Sequence, residues 1–207
     1  MKILVRQAMI ADPNSALNGQ VTDLLIDGEQ IIKIAPHITE TADEVIETTG
    51  LTVSPGWVDI FAHFCDPGYE YKETLETGAA AAAAGGYTHV FVLPNTQPIA
   101  DNKTQVEYIS RKSGSLPANI HPLGAITKGI EGKDLAEMYD MKNSGAIAFS
   151  DGLYPVQSPG LFVKALQYVK AFDGVLIQVP LDKSIGAGGL INEGIISTRL
   201  GLPGIPA

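Results

Sequence analysis

The chain has 207 residues, 45% of them hydrophobic and 18% charged, with a formal charge of -9. That is the composition of a soluble globular protein large enough to bury a sizeable core. The acidic balance argues against a nucleic-acid or acidic-membrane surface, the single cysteine excludes an internal disulfide, and no basic-plus-apolar leader opens the sequence, so a cytoplasmic protein is expected.

From Met1 to Ser54 the chain reads as short strands: KILVRQAMI, VTDLLIDG, IIKIAP and DEVIETTG, broken by PNS and DGEQ. This spacing predicts a small β-sandwich subdomain over 1–54, with His37 on a surface connection. At Pro55 the rhythm changes to strand followed by helix, and residues 55–207 are expected to form a parallel α/β domain.

The stretch PGWVDIFAHFCDPGYEYKE (55–73) delivers polar groups into a glycine-proline loop. Strict alternation would put Asp59, Phe61, His63 and Cys65 on one face and Ile60, Ala62 and Phe64 on the other. Parallel α/β folds place their sites at the C-terminal ends of such strands.

Further along, TLETGAAAAAA (74–84) is helix-prone with Gly85 and Gly86 as a stop, and YTHVFVLP forms a strand ending in the loop Pro94-Asn95-Thr96-Gln97-Pro98. A helix is predicted near Lys103 to Ser113, then the strand NIHPLGAI, a helix from Gly132 to Asn143, and the strand GAIAF leading into Ser150-Asp151-Gly152. A helix from Pro159 to Phe172 and a fifth strand GVLIQVP follow. Strand ends are expected near His63, Pro94, Ile126, Phe149 and Val179. No G-x-x-x-x-G-K-[ST] phosphate loop occurs.

The 55–73 stretch resembles the first barrel strand of the dihydroorotases in the amidohydrolase superfamily, whose pattern is P-G-x-x-D-x-H-x-H-x-R-x-P-G-x-E-x-K-E. Pro55, Gly56, Asp59, His63, Pro67, Gly68, Glu70, Lys72 and Glu73 match it. The loop at 94–98 is similar to the family's P-N-T-x-P, Ser150-Asp151-Gly152 to its S-D-D-G, and 188–207 to its closing connection. The resemblance implies an incomplete (β/α)₈ barrel, since about five of the eight strand-helix units are here, and the chain reads as a piece of a longer polypeptide. It also implies the family reaction, zinc-dependent reversible hydrolysis of the dihydroorotate cyclic amide to carbamoyl aspartate in pyrimidine biosynthesis.

Carried over residue by residue, the resemblance places metal ligands at Phe61, His63, Asp151 and Gln178, with Asp59 supporting them, and carboxylate recognition at Cys65 and Asn95. Phe61 and Gln178 stand where the family has histidines, Cys65 where it has arginine, and Pro180-Leu181 replace an acidic pair. A phenyl ring donates nothing to a metal, an amide is a weak ligand, and a thiol cannot imitate the planar fork of arginine. The other ligands and the proton-relaying aspartate would lie after Ala207. Three readings follow. The favoured one is a dihydroorotase-like protein that no longer hydrolyses, binds no zinc and acts as an assembly partner, with aspartate transcarbamoylase as the partner that the resemblance implies, and as a homo-oligomer. The alternatives are an active cyclic amidohydrolase with an unusual His63/Cys65/Asp151 metal site, and a metabolite-binding barrel with no reaction.

Overall fold

A computed structural model describes residues 1–186 and 188–206. The chain divides into two compact units, Met1–Gly56 and Trp57–Ala207.

In the first unit, β1 (Lys2–Ile10), β2 (Val21–Asp27), β3 (Gln30–Ala35), β4 (Glu44–Glu47) and β5 (Thr52–Val53) form one mixed sheet. The strand β1 is central, antiparallel to β2 and parallel to both β4 and β5. The run Thr22–Leu25 is buried on both faces, with Val5, Ala8, Ile10 and Leu24 packed on one side and Leu4, Leu25 and Ile38 on the other. All five strands share this one sheet, and the described residues of the unit form no second sheet.

The second unit alternates as the hydrophobic pattern requires: β6 (Trp57–Ala62), α1 (Leu75–Ala84), β7 (Tyr87–Val92), α2 (Lys103–Ser113), β8 (Asn119–Gly124), α3 (Met138–Asn143), β9 (Ala148–Phe149) and α4 (Pro159–Lys170). The sheet order β6-β7-β8-β9 is parallel throughout, the arrangement that helical crossovers permit. Each long helix starts on a side-chain cap. Thr74 Oγ1 accepts from Thr77 N (3.2 Å), Asn102 Oδ1 from Thr104 N (3.0 Å) and Ser158 Oγ from Leu161 N (3.3 Å). Leu75, Ala79 and Ile109 of α1 and α2 bury the outward faces of Val90, Val92 and Ile120, while Phe61 and Phe91 pack inward on Leu93, Leu123 and Ala148. The remainder holds α5 (Lys183–Gly186), β10 (Ile191–Asn192), α6 (Ile195–Leu200) and β11 (Gly204–Ile205), with β10 and β11 paired in parallel. Among the described residues no helix is long and apolar enough to cross a membrane.

Three local expectations change. The helix expected over 132–143 is confined to Met138–Asn143. The preceding segment instead folds back, with an antiparallel bridge of Thr127 to Leu135, and Ala136 N donating to Ile126 O at 2.9 Å. Positive φ values at Gly129, Ile130 and Gly132 turn the chain there. The fifth strand reduces to a bridge of Phe149 with Leu176, because β9 offers only two residues to pair. Alternation also fails inside β6. The Asp59 carboxylate accepts the Phe61 N–H at 2.9 Å, and the register against β7 slips between Asp59 and Ala62. Asp59 therefore shares a crevice with Ala62, Phe64 and the α1 residues Gly78, Ala81 and Ala82, while Phe61 faces the inner cluster.

Candidate functional site

Three loops meet where β6, β7 and β9 end. The first, after β6, turns at Cys65 (φ 64) and runs through Pro67-Gly68. It touches the second, residues 94–98, backbone to backbone. Gln97 N donates to Pro67 O at 2.9 Å, and a Cβ at Gly68 would lie 2.1 Å from Gln97 O. Only glycine fits there, with its φ of +100. The third loop, Asp151–Tyr154, closes on Asn95. The Asn95 amide donates to Asp151 O and its Oδ1 accepts from Leu153 N, each at 3.4 Å, and a Cβ on Gly152 would come within 1.8 Å of that Oδ1. The glycine-proline and asparagine motifs thus serve first to hold three loops together.

Of the positions singled out in the sequence, His63 and Asn95 come together. His63 Nε2 lies 3.1 Å from Asn95 O, so that nitrogen carries the proton, and both residues line a cavity of about 580 Å³. The others turn elsewhere. Phe61 is in the inner apolar cluster. Cys65 is buried, with its thiol directed to His63 O at 3.7 Å. Gln178 is spent on Val156, accepting from its N–H (3.1 Å) and donating to its carbonyl (3.4 Å). Asp151 is buried and accepts from Ile126 N (2.8 Å), Thr127 N (2.9 Å) and Thr127 Oγ1 (2.5 Å). Burial pushes its carboxyl above the ordinary range, and the three donors from Thr127 and Ile126 pull against that shift. Asp151 thereby laces the end of β9 to the end of β8.

Sequence reasoning missed the groups that dominate the cavity wall. Tyr69, Lys72, Gln97 and Tyr154 line it with His63 and Asn95, and the apolar remainder includes Ile99, Ile130 and Leu153. Lys72 Nζ sits 5.2 Å from the Tyr69 ring centroid and 5.6 Å from that of Tyr71. The signals in the sequence were the run Tyr69-Glu70-Tyr71-Lys72 behind the Pro-Gly turn and the place of Gln97 in the 94–98 loop. A neighbouring buried carboxylate, Asp66, also went unnoticed. It accepts from Tyr108 Oη (2.9 Å), Lys112 Nζ (3.0 Å) and Leu75 N (3.1 Å), pinning this loop to α1 and α2.

Zinc needs about four nitrogen, sulfur or oxygen ligands converging on one point. His63 offers one ring nitrogen beyond its bond to Asn95, Asp151 has both oxygens engaged, Cys65 and Gln178 are turned to backbone, and Phe61 has no donor. Among the described residues, no three His, Cys, Asp or Glu side chains gather. The residues present do not fit zinc.

A parallel strand-helix sheet whose strand ends build a cavity is the architecture of the amidohydrolase barrels. Solved structures of that class superpose on the chain. An L-hydantoinase (dihydropyrimidinase) from Arthrobacter aurescens matches with a TM-score of 0.73 at 20% identity, covering 88% of this chain and 41% of that one. A dihydroorotase crystal structure matches at 0.61 and 14%, covering 84% and 50%. The family model for dihydro-orotase-like proteins matches residues 50–207. Dihydroorotases from Syntrophus aciditrophicus and Pelotomaculum thermopropionicum are 43% and 42% identical over 209 and 207 residues, covering all of this chain and 49% and 48% of theirs. The chain belongs to the dihydroorotase-like family, and it spans about half the length of these relatives.

Proposed function

We propose that this chain is a dihydroorotase-like scaffold of pyrimidine biosynthesis that does not open the cyclic amide. Its retained outer architecture would serve assembly, with aspartate transcarbamoylase as the partner and self-association as a second contact. The observation that carries the reading is the dispersal of the donor set: His63 remains at the cavity, while Asp151, Gln178 and Cys65 are committed to backbone groups and Phe61 to the core. Fold and chemistry separate readily in this way. The capped helices and the three-loop junction are intact, which is what an assembly role would preserve.

The test loads the unmodified protein and Phe61→His with zinc, removes excess by gel filtration, and measures bound metal together with dihydroorotate ring opening. Neither form should hold stoichiometric zinc or turn over, because one restored imidazole leaves Gln178 and Cys65 unchanged and catalytic groups act as a unit. Stoichiometric zinc bound through His63, or turnover above a metal-free control, would instead favour a His63/Cys65/Asp151 metal site. For assembly, a single complex with aspartate transcarbamoylase is expected by size exclusion, and two separate peaks at micromolar concentration would refute it. The cavity favours a second reading, in which a small metabolite binds without reacting.

A further inference from the structure

We propose that His89 of β7 and His121 of β8 form a two-imidazole site for a divalent metal ion of tetragonal geometry, with Cu(II) the cation it fits best. The pair stands apart from the cavity, which neither residue lines, and each histidine is the third residue of its strand rather than at the C-terminal end. In the parallel register His89 lies opposite Asn119 and Phe91 opposite His121, so the two imidazoles meet on a diagonal of one sheet face. His89 Nδ1 and His121 Nε2 are 2.9 Å apart, with ring planes 16° from parallel. Two of the chain's four histidines are thus brought together, whereas His37 stands 3.7 Å from the Asp23 carboxylate and His63 is 3.1 Å from a backbone carbonyl.

The separation selects the ion. Two neighbouring nitrogen ligands about 2.0 Å from a square-planar ion lie about 2.8 Å apart, and tetrahedral geometry would spread them to about 3.3 Å. The pair stands near the first value. Binding requires the rings to swing until both lone pairs converge on one point. The N–H that the facing nitrogens share moves to the far nitrogen of its own ring, which leaves two neutral imidazole donors. His89 is exposed, so this movement is open to it, and the Phe91 ring, edge-on at 5.6 Å, steadies His121. Burial, with charge on His89 adding to it, holds His121 below its ordinary value of 6.5, so that ring is a free base at neutral pH. Among the described residues no third His, Cys, Asp or Glu joins the pair, so water completes the coordination. A site with only two protein donors retains best the ion at the top of the divalent affinity series, which is Cu(II). Such an ion would clamp β7 to β8.

The experiment titrates the full chain with Cu(II) at neutral pH, in citrate to scavenge copper held by single side chains. Bound copper is read by pulsed electron paramagnetic resonance, which counts coordinated imidazoles through their remote nitrogens. One equivalent should bind, coupled to two imidazoles. His89→Asn and His121→Asn should each lose that equivalent, and His37→Asn should keep it. Far-UV circular dichroism verifies the fold of each variant, and the imidazole count in the unmodified protein is a readout that needs no variant. A two-imidazole signal that survives in either variant or disappears in His37→Asn, or a count of one imidazole, would mean an adventitious ion only and overturns the site, as does the absence of bound copper. The pair shares no residue with the Phe61→His zinc test, so either result leaves the proposed function where it stands.

Discussion

Substitution of Asp151 separates a structural carboxylate from a metal ligand. Its carboxylate is the acceptor for Ile126 N and Thr127 N, both from fully buried residues, and for the Thr127 hydroxyl, which itself accepts from Gly132 N at 3.0 Å. Asp151→Ala leaves two buried N–H groups without a partner, each costing about 1–3 kcal/mol, so a loss of about 4 kcal/mol is expected. Asp151→Asn keeps Oδ1 as the acceptor of both backbone groups, offers its amide to Thr127 Oγ1, and removes a buried charge. It should cost no more than about 1 kcal/mol. The assay is urea unfolding followed at 222 nm, which reports the second unit because every helix lies in it. With a slope of about 2 kcal/mol/M, the alanine midpoint should fall by about 2 M and the asparagine midpoint by less than about 0.5 M. If Asn proves as costly as Ala, the negative charge itself is required, and the hydrogen-bonding account of Asp151 fails.

Much of this fold was legible because its signals are local. The alternation of strand and helix after Pro55 is carried by short runs such as the alanine-rich stretch before Gly85 and Gly86, and the Pro-Gly and Pro-Asn loops sit where strands end. What escaped was decided by partners distant in sequence. That Asp151 would serve N–H groups 24 and 25 residues earlier depends on the β8 end folding back at Gly129 and Gly132, which also consumed half of the expected third helix. Alternation across β6 failed for a subtler reason: Asp59 takes a ladder N–H two residues on, and a period-2 reading has no place for a side chain that competes with its own strand. Lys72 was visible as part of a motif. Its place on the cavity wall follows from the turn at Cys65 and the contact of Gly68 with Gln97, neither of which is written in Lys72 itself.

Two further predictions concern the second unit. Asp66→Ala should cost about 2–3 kcal/mol in the same unfolding assay, because Leu75 N loses a buried acceptor while Lys112 keeps Glu76 at 2.9 Å. A cost below about 0.5 kcal/mol would show that this loop is not pinned through Asp66. The other prediction is a pH dependence. His89 Nδ1 and His121 Nε2 are 2.9 Å apart, with ring planes within 16° and centroids 5.1 Å apart, a separation close to the N···N distance plus one ring radius from each imidazole. The rings are therefore nearly coplanar and end to end, sharing one N–H between two nitrogens. Adding a second proton would set two donors against each other. Burial pushes His121 below its ordinary value of 6.5, and charge on His89 adds to the shift. Below that pH the unfolded chain takes up a proton that the folded chain resists, so the stabilisation is present above the unfolded value and is lost as pH falls. The urea midpoint should therefore drop between about pH 7.5 and pH 5.5, and His121→Asn should flatten part of that drop. An unmodified protein whose midpoint is flat across the window, or a variant that tracks it point for point, would show that the pair carries no proton linkage.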